Sequence, residues 1–114
     1  MKKRYLVGLD IGTSGAKCII VDDEGAVVAS STQEYPLSTP KPGWAEQNPA
    51  DWWMGIVNGC RAIMKKFQGD PKDIVGVSFS GQMHGLVALD KYRNVVRPSI
   101  LWCDSRTQPQ CDWI

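Results

Sequence analysis

The chain has 114 residues, a length that allows one domain at most and suffices for a hydrophobic core. Its hydrophobic content of 43% and charged content of 22% are ordinary for a globular protein. The net charge of +1 at pH 7 gives no reason to expect nucleic acid or an anionic membrane as a partner, and no apolar run approaches the roughly 18 residues of a membrane span.

The first strongly patterned stretch, residues 5–21, predicts two adjacent strands around a polar turn. Between the apolar runs lies DIGTSGAK, residues 10–17, with one carboxylate, two glycines, two hydroxyls and one ammonium. Glycines allow successive N–H groups to converge on an anion, here at Gly12, while Thr13 and Ser14 add donors and Lys17 adds a positive charge. A plain hairpin turn is the alternative. Neither the P-loop nor the Rossmann glycine pattern occurs.

Asp10 ends the first predicted strand and has a different role from its neighbours. A carboxylate would repel a phosphate placed directly beside it. Its useful role is therefore to hold a hydrated Mg²⁺, or to position an attacking group next to the phosphate.

After a turn at residues 22–25, residues 26–32 read as a third strand, which completes an antiparallel three-strand meander. Residues 34–48 contain three prolines and no periodicity, so we expect a loop that is functional or mobile. Trp44 in this loop either helps to cover a site or pins the loop onto the body.

A helix is predicted to begin at Asn48, with Pro49 at its first position and Asp51 in its first turn. Its predicted apolar stripe faces a sheet and consists of Trp53, Ile56, Val57, Cys60, Ile63, Met64 and Phe67. Gly55 and Gly59, four residues apart, indicate close packing of this helix.

Residues 74–80 predict a buried strand that leads into Gly81-Gln82-Met83-His84-Gly85. Residues 86–89 predict another strand, 90–94 a turn and 95–96 a return strand. The apolar run 98–102 ends at Cys103-Asp104-Ser105, where Asp104 or Ser105 could cap a further helix.

Two polar groupings follow predicted strand ends, where ligands bind in many sheet proteins. Gln82 and His84 carry donors and acceptors that suit neighbouring hydroxyls of a sugar or polyol. A structural hydrogen bond made by His84 would explain the presence of this histidine equally well. Trp102 and Asp104 place an apolar face beside a carboxylate. On residue chemistry alone, Trp102 could equally belong to the core.

The four cysteines do not have the spacing of a zinc site. They are Cys18, Cys60, Cys103 and Cys111. Two lie in elements predicted to be buried, so we expect small core side chains in a reducing cytoplasm.

Four motifs in order, DIGTSGAK, GWAEQNPADWW, SFSGQMHG and ILWCDSRT, resemble the FGGY carbohydrate kinases over essentially the whole chain. The resemblance is closest to the xylulokinases, through the triplet Met83-His84-Gly85. Gluconate kinases share the Met-His pair. Cys103 departs from the xylulokinase pattern, which commonly has Asn there.

This resemblance implies an α/β fold of the ribonuclease-H-like, actin-like ATPase type. Residues 1–114 would be the N-terminal part of the first domain, without the rest of that domain or the nucleotide-binding C-terminal domain. Asp10 would act on the Mg²⁺ and phosphate side, with Gly12, Thr13, Ser14 and Lys17 binding the phosphates of ATP. The sugar would be bound by Gln82, Met83, His84, Trp102 and Asp104.

The implied activity is ATP-dependent phosphorylation of D-xylulose to D-xylulose 5-phosphate in the cytoplasm, with a catalytic base that lies outside this chain. The alternatives are another sugar or polyol kinase of the family, such as a gluconate kinase, and a non-catalytic actin-like sugar-binding protein. A sugar and ATP are the expected partners, and a homodimeric parent protein is among the expectations. The 114-residue chain alone is expected to be inactive and to self-associate, because half a cleft and an unprotected sheet edge remain.

Overall fold

A computed structural model describes residues 2–114 and shows a mixed α/β fold. In chain order the elements are β1 (Tyr5–Ile11), β2 (Gly15–Asp22), β3 (Val27–Glu34), β4 (Glu46–Gln47), α1 (Pro49–Lys66), a 3₁₀ turn (Pro71–Asp73), β5 (Ile74–Gly81), β6 (Ser99–Ile100) and α2 (Gln108–Trp113). Within this part of the chain, no helix has the length and apolar character needed to cross a bilayer.

The main sheet has the strand order β3-β2-β1-β5. The first three strands are antiparallel neighbours, which confirms the predicted meander, and β5 lies parallel to β1. The chain reaches β5 from β3 through α1, as a parallel pair requires a long crossover. Both β1 and β5 therefore end at the same edge of the sheet.

The hydrophobic core lies between α1 and one face of the sheet. Its fully packed members are Val7, Cys18, Ile20, Ala29 and Ile63. A Cβ atom on Gly59 would lie 2.5 Å from the Cys18 sulfur, and one on Gly55 would lie 3.2 Å from the Ala16 methyl. The two glycines therefore let the helix axis approach β2, as their spacing predicted.

The start of α1 confirms the prediction made from local chemistry. The Asn48 side chain accepts a hydrogen bond from the N–H of Ala50 at 3.0 Å, and Pro49 is the first helical residue. The predicted stripe is wrong at two positions, since Trp53 is 68% exposed and Met64 is also exposed. The helix packs through its glycine face, which turns these two side chains outward.

The prediction that residues 74–80 form a buried strand is wrong in its burial. The strand exists as β5, but Val75, Val77 and Phe79 are exposed. The physical reason is that α1 packs against β2 and β3 and leaves β5 uncovered at the edge of the sheet.

Residues 82–107 are largely irregular. The strand predicted over residues 86–89 is replaced by two isolated bridges, Leu86 to Ile100 and Leu89 to Val95. The turn at 90–94 is confirmed, because the Asp90 carboxylate accepts from the N–H groups of Tyr92 and Asn94.

The predicted helix cap at Asp104 or Ser105 is wrong. Helix α2 begins at Gln108 after Thr107, with no side-chain cap. The Asp104 carboxylate is already used in an ion pair, and the Ser105 carbonyl accepts from the N–H of Gln108 instead.

Candidate functional site

The turn between β1 and β2 is shorter than the sequence suggested. Strand β1 continues to Ile11 and β2 begins at Gly15, so that only residues 12–14 form the turn. Asp10 and Lys17 therefore face each other across the antiparallel ladder. Both side chains are exposed and belong to the sheet face away from α1. Gly15 is required at its position, because a Cβ atom there would lie 2.5 Å from the Gln33 carbonyl oxygen.

A cleft of about 530 Å³ lies over this open face of the sheet, and Asp10 and Lys17 line it. Its remaining lining residues are Gly8, Leu9, Ile19, Val27, Ser30, Ser78, Phe79 and Ser80. The cleft therefore combines one carboxylate, one ammonium and three hydroxyls, which suits a phosphate group accompanied by a cation.

The donor set fits Mg²⁺ in one particular way. Among the described residues no cluster of three or more His, Cys, Asp or Glu side chains could hold a metal ion. Mg²⁺ usually keeps several waters and takes one or two carboxylates together with substrate phosphates. Asp10 alone meets that requirement, so it can hold a hydrated ion only with phosphate as a co-ligand.

A second cleft, of about 470 Å³, brings together three of the predicted sugar residues, Gln82, Met83 and His84. Its other lining residues are Ile11, Trp52, Phe79, Ser80, Gly81, Gly85, Val87 and Leu101. His84 has a φ of 65°, in the left-handed region, and Met83 is 68% exposed. Phe79 and Ser80, near the end of β5, line both clefts, the first on the open face of the sheet and the second on the side that carries α1.

Thr13 connects the turn to the second cleft. Its hydroxyl donates to Gln82 Oε1 at 3.1 Å and accepts from Trp102 Nε1 at 3.1 Å. The single hydroxyl proton is therefore in use, and a phosphate contact from Thr13 would have to come from its main-chain N–H. Trp102 is 57% exposed, which excludes it from the core.

Gln47, which sequence reasoning missed, lies behind this turn and is 2% exposed. Its amide donates to the Thr13 carbonyl and accepts from Trp52 Nε1 and Gln82 Nε2, both at 2.9 Å. The available signal was its place between the loop and the helix start, within the quoted motif GWAEQNPADWW.

Tyr35, also missed, holds the turn from the β3 side. Its hydroxyl donates to the Gly12 carbonyl, and its main-chain N–H donates to the Ser14 carbonyl at 3.3 Å. Burial, with a smaller effect from the Asp10 carboxylate, raises the pKa of the Tyr35 hydroxyl above its ordinary value. The turn is thus anchored on two sides.

Asp104 lines neither cleft, although its neighbour Trp102 reaches Thr13. Its side chain is 1% exposed and accepts from Ala45 N–H at 2.8 Å and from the Arg106 guanidinium. The side-chain hydrogen bond from Arg106 holds the pKa of the Asp104 carboxyl well below its usual range. Both oxygens are occupied, so sugar binding by Asp104 stays a prediction that needs another conformation.

Arg106 also joins the long loop to the segment that carries Trp102. Its guanidinium donates to Glu46 at 2.7 Å and stacks on the Trp44 ring, with 3.7 Å from its central carbon to the ring centre. Of the two interpretations of Trp44, pinning of the loop is the one that this geometry supports.

Three comparisons with known proteins agree with the fold and the motifs. Residues 5–114 match the model of the FGGY family of carbohydrate kinases, N-terminal domain. The chain is 46% identical over 108 residues to a xylulose kinase of Bacillus subtilis (strain 168), which covers 95% of this chain and 22% of that protein. The chain therefore spans about a fifth of the length of the curated relatives it matches.

Solved structures give the same result. The crystal structure of a xyloylose kinase from Brucella ovis matches with a TM-score of 0.87 and 37% identity, over 96% of this chain and 23% of that one. A gluconate kinase from Lactobacillus acidophilus matches with a TM-score of 0.88 and 30% identity, over 97% of this chain and 22% of that chain. These neighbours have the actin-like ATPase fold, which confirms the predicted fold class.

Proposed function

The chain belongs to the FGGY family of carbohydrate kinases, and from that membership we propose that the whole protein transfers the γ-phosphoryl group of ATP to D-xylulose. The observation that carries the proposal is that the two clefts flank the end of β5 and share two lining residues there, Phe79 and Ser80. A phosphate bound beside Asp10 and a sugar bound beside His84 would then flank this strand end, and direct transfer requires the reacting groups to approach each other there.

The proposed phosphate side consists of the turn and the open-face cleft. The ammonium of Lys17 neutralises charge on the transferring group, and the main-chain N–H groups of residues 12–14 add donors. When bound, Mg²⁺ supplies further charge neutralisation next to the phosphates, and Asp10 would hold it through water.

The proposed sugar side consists of Gln82, Met83 and His84. The imidazole of His84 and the remaining amide proton of Gln82 bind hydroxyls, while Met83 covers an apolar edge of the sugar. Trp102, close to Thr13, adds an aromatic face. Asp104 joins this set only if its contacts with Arg106 open.

Xylulose is proposed over gluconate because gluconate carries a carboxylate at its working pH. Among the described residues, no Lys or Arg lines the second cleft. A carboxylate bound there would find no ammonium or guanidinium partner in this part of the chain. The likeness to the Lactobacillus acidophilus gluconate kinase keeps gluconate as the second candidate.

A substrate panel on the full-length protein tests the proposal. ADP formation is measured with ATP, Mg²⁺ and each of D-xylulose, gluconate, glycerol and no sugar. We expect the highest kcat/KM with D-xylulose. A higher kcat/KM with gluconate or glycerol contradicts the substrate, and sugar binding without ADP formation would favour the non-catalytic sugar-binding alternative. The cytoplasmic location and the homodimer stay predictions.

A further inference from the structure

One buried amide, that of Gln47, joins the phosphate turn to the wall of the sugar-side cleft. It donates to the carbonyl of Thr13, in the turn, and accepts from Trp52 and Gln82, which both line the second cleft. Three parts of the chain that lie far apart in sequence therefore meet on one side chain. The amide nitrogen donates one hydrogen bond and the amide oxygen accepts two, and together they fix the orientation of the side chain.

The backbone below Gln47 is held equally firmly. Strand β4 pairs with β6, and Glu46 exchanges main-chain hydrogen bonds of 2.8 and 2.9 Å with Ser38. The Glu46 carboxylate accepts from Arg97 and Arg106. Gln47 is thus fixed at both ends of its side chain, as a residue that positions others must be.

We propose that Gln47 is a positioning residue for phosphoryl transfer, which sets the separation between the phosphate turn and the sugar-side cleft. The inference rests on the proposed function. Thr13 belongs to one reactant's site, and Trp52 and Gln82 belong to the other's. Loss of the shared amide would leave the turn joined to the second cleft through the Thr13 hydroxyl, which contacts Gln82 and Trp102. With that weaker connection the two sites could shift against each other, and a displacement of about 1 Å can cost roughly 100-fold in rate.

This role makes a different prediction from a purely structural one. Substitution of a purely structural residue lowers the stability of the folded protein but leaves turnover by the folded fraction unchanged. Substitution of a positioning residue lowers kcat with little effect on KM, since each substrate still binds at its own site. It also raises the fraction of ATP that is hydrolysed by water without transfer to sugar, because the acceptor hydroxyl is displaced.

The test uses Gln47→Met in the full-length protein, which keeps the side-chain volume nearly unchanged and removes all three hydrogen bonds. Ile63→Val is the matched control: Ile63 is 1% exposed in the core on the other side of the sheet from the open face. Both variants are assayed at a temperature where they are folded. We expect a 10- to 100-fold lower kcat for Gln47→Met, KM values for sugar and ATP within about threefold of wild type, and more uncoupled hydrolysis.

A second variant and a second measurement cover failure to fold and failure of the proposed function. Gln47→Glu keeps both accepted hydrogen bonds, but it replaces the bond to Thr13 by a carboxylate oxygen that faces the Thr13 carbonyl; it should lower kcat in the same direction. In protein labelled with 5-fluorotryptophan, the ¹⁹F signal of Trp102 should move in both Gln47 variants but not in Ile63→Val, because Trp102 is coupled to Gln47 through Thr13.

The outcomes are distinguishable. A wild-type protein without sugar-dependent ADP formation overturns the proposed function, and the ¹⁹F signal then still tests whether Gln47 links the two clefts. An active wild type together with a Gln47→Met kcat equal to that of Ile63→Val overturns the positioning role. An unmoved Trp102 signal overturns it as well.

Discussion

Two regions of this molecule are held together by different forces. In the N-terminal unit, residues 5–66, α1 packs on the β1–β3 meander around buried Val7, Ile20 and Ile63. In the following segment, residues 74–107, most large apolar side chains are exposed, and contacts are ion pairs and hydrogen bonds such as those of Arg106. The candidate site lies where the two regions meet.

That difference has a consequence for how the site is built. Apolar packing is non-directional, so it fixes where a strand lies but not how a polar side chain points. Hydrogen bonds weaken steeply away from linear geometry and therefore fix orientation. The meander thus places the turn, while Gln47, Tyr35 and Gln82 orient it. We expect changes at the turn to affect catalysis and changes in the core to affect stability.

The largest expected effect is on catalysis. Asp10→Asn in the full-length protein should lower kcat by roughly 100-fold or more, because the lost charge acts mainly on the transition state. The sugar KM should change much less. Steady-state kinetics with varied sugar and ATP measure both values.

Asp23→Asn is the control for this change, since Asp23 is exposed at the opposite end of the same hairpin. It should leave kcat unchanged. A kcat of Asp10→Asn close to that of wild type would mean that the hairpin is only structural and that the catalytic half of the comparison is wrong.

The packed region gives the next largest effect. Gly59→Ala should lower the free energy of unfolding by about 1–2 kcal/mol, because overpacking against the Cys18 sulfur outweighs the better helix propensity of Ala. Urea unfolding measures the change. The same substitution in a Cys18→Ala background removes the close contact and should cost clearly less; an equal cost in both backgrounds would contradict the packing argument.

Sequence reasoning correctly predicted the features that depend on residues close together in the chain. The helix start at Asn48 and Pro49, the Asp90 turn and the glycine contact of α1 all follow from residues within a few positions of each other. Burial was harder, because it depends on which elements cover which. The strand at 74–80 has the apolar pattern of a buried strand, yet beyond Ile74 the described residues leave most of its large apolar side chains uncovered.

The site was predictable in part for the same reason. Gln82, Met83 and His84, which were predicted from one motif, line one cleft, and their binding of a sugar stays a prediction. Motif chemistry could not reveal that Gln47 and Tyr35 hold the turn, because their partners are more than twenty residues away in sequence. Nor could it reveal that Arg106 occupies the Asp104 carboxylate.

A smaller effect is expected at the sugar-side cleft. His84→Asn should raise the sugar KM about tenfold with little change in kcat, as a lost ligand hydrogen bond of roughly 1–3 kcal/mol predicts. Asn is chosen because it tolerates the left-handed φ of 65°. The readout is the sugar KM of the full-length protein.

Arg93→Asn is the matched control, since Arg93 also has a left-handed φ, of 69°, but lies in an exposed turn that lines neither of the two clefts. It should leave the sugar KM unchanged. If both variants raise KM equally, the effect comes from the backbone and not from the imidazole.

The smallest expected effect on stability concerns the uncovered strand. Val77 is 59% exposed on β5, and within residues 2–114 this strand pairs with β1 alone, so that its other edge is open. In the 114-residue chain, Val77→Thr keeps a β-branched shape and should change the free energy of unfolding by no more than about 0.5 kcal/mol. It should nevertheless shift sedimentation profiles toward monomer, because open apolar edges favour self-association.

Val96→Thr, at a valine 62% exposed outside the sheet, should leave the profile unchanged. If Val77→Thr instead destabilises the chain strongly, β5 is held by packing after all and the contrast between the two regions fails.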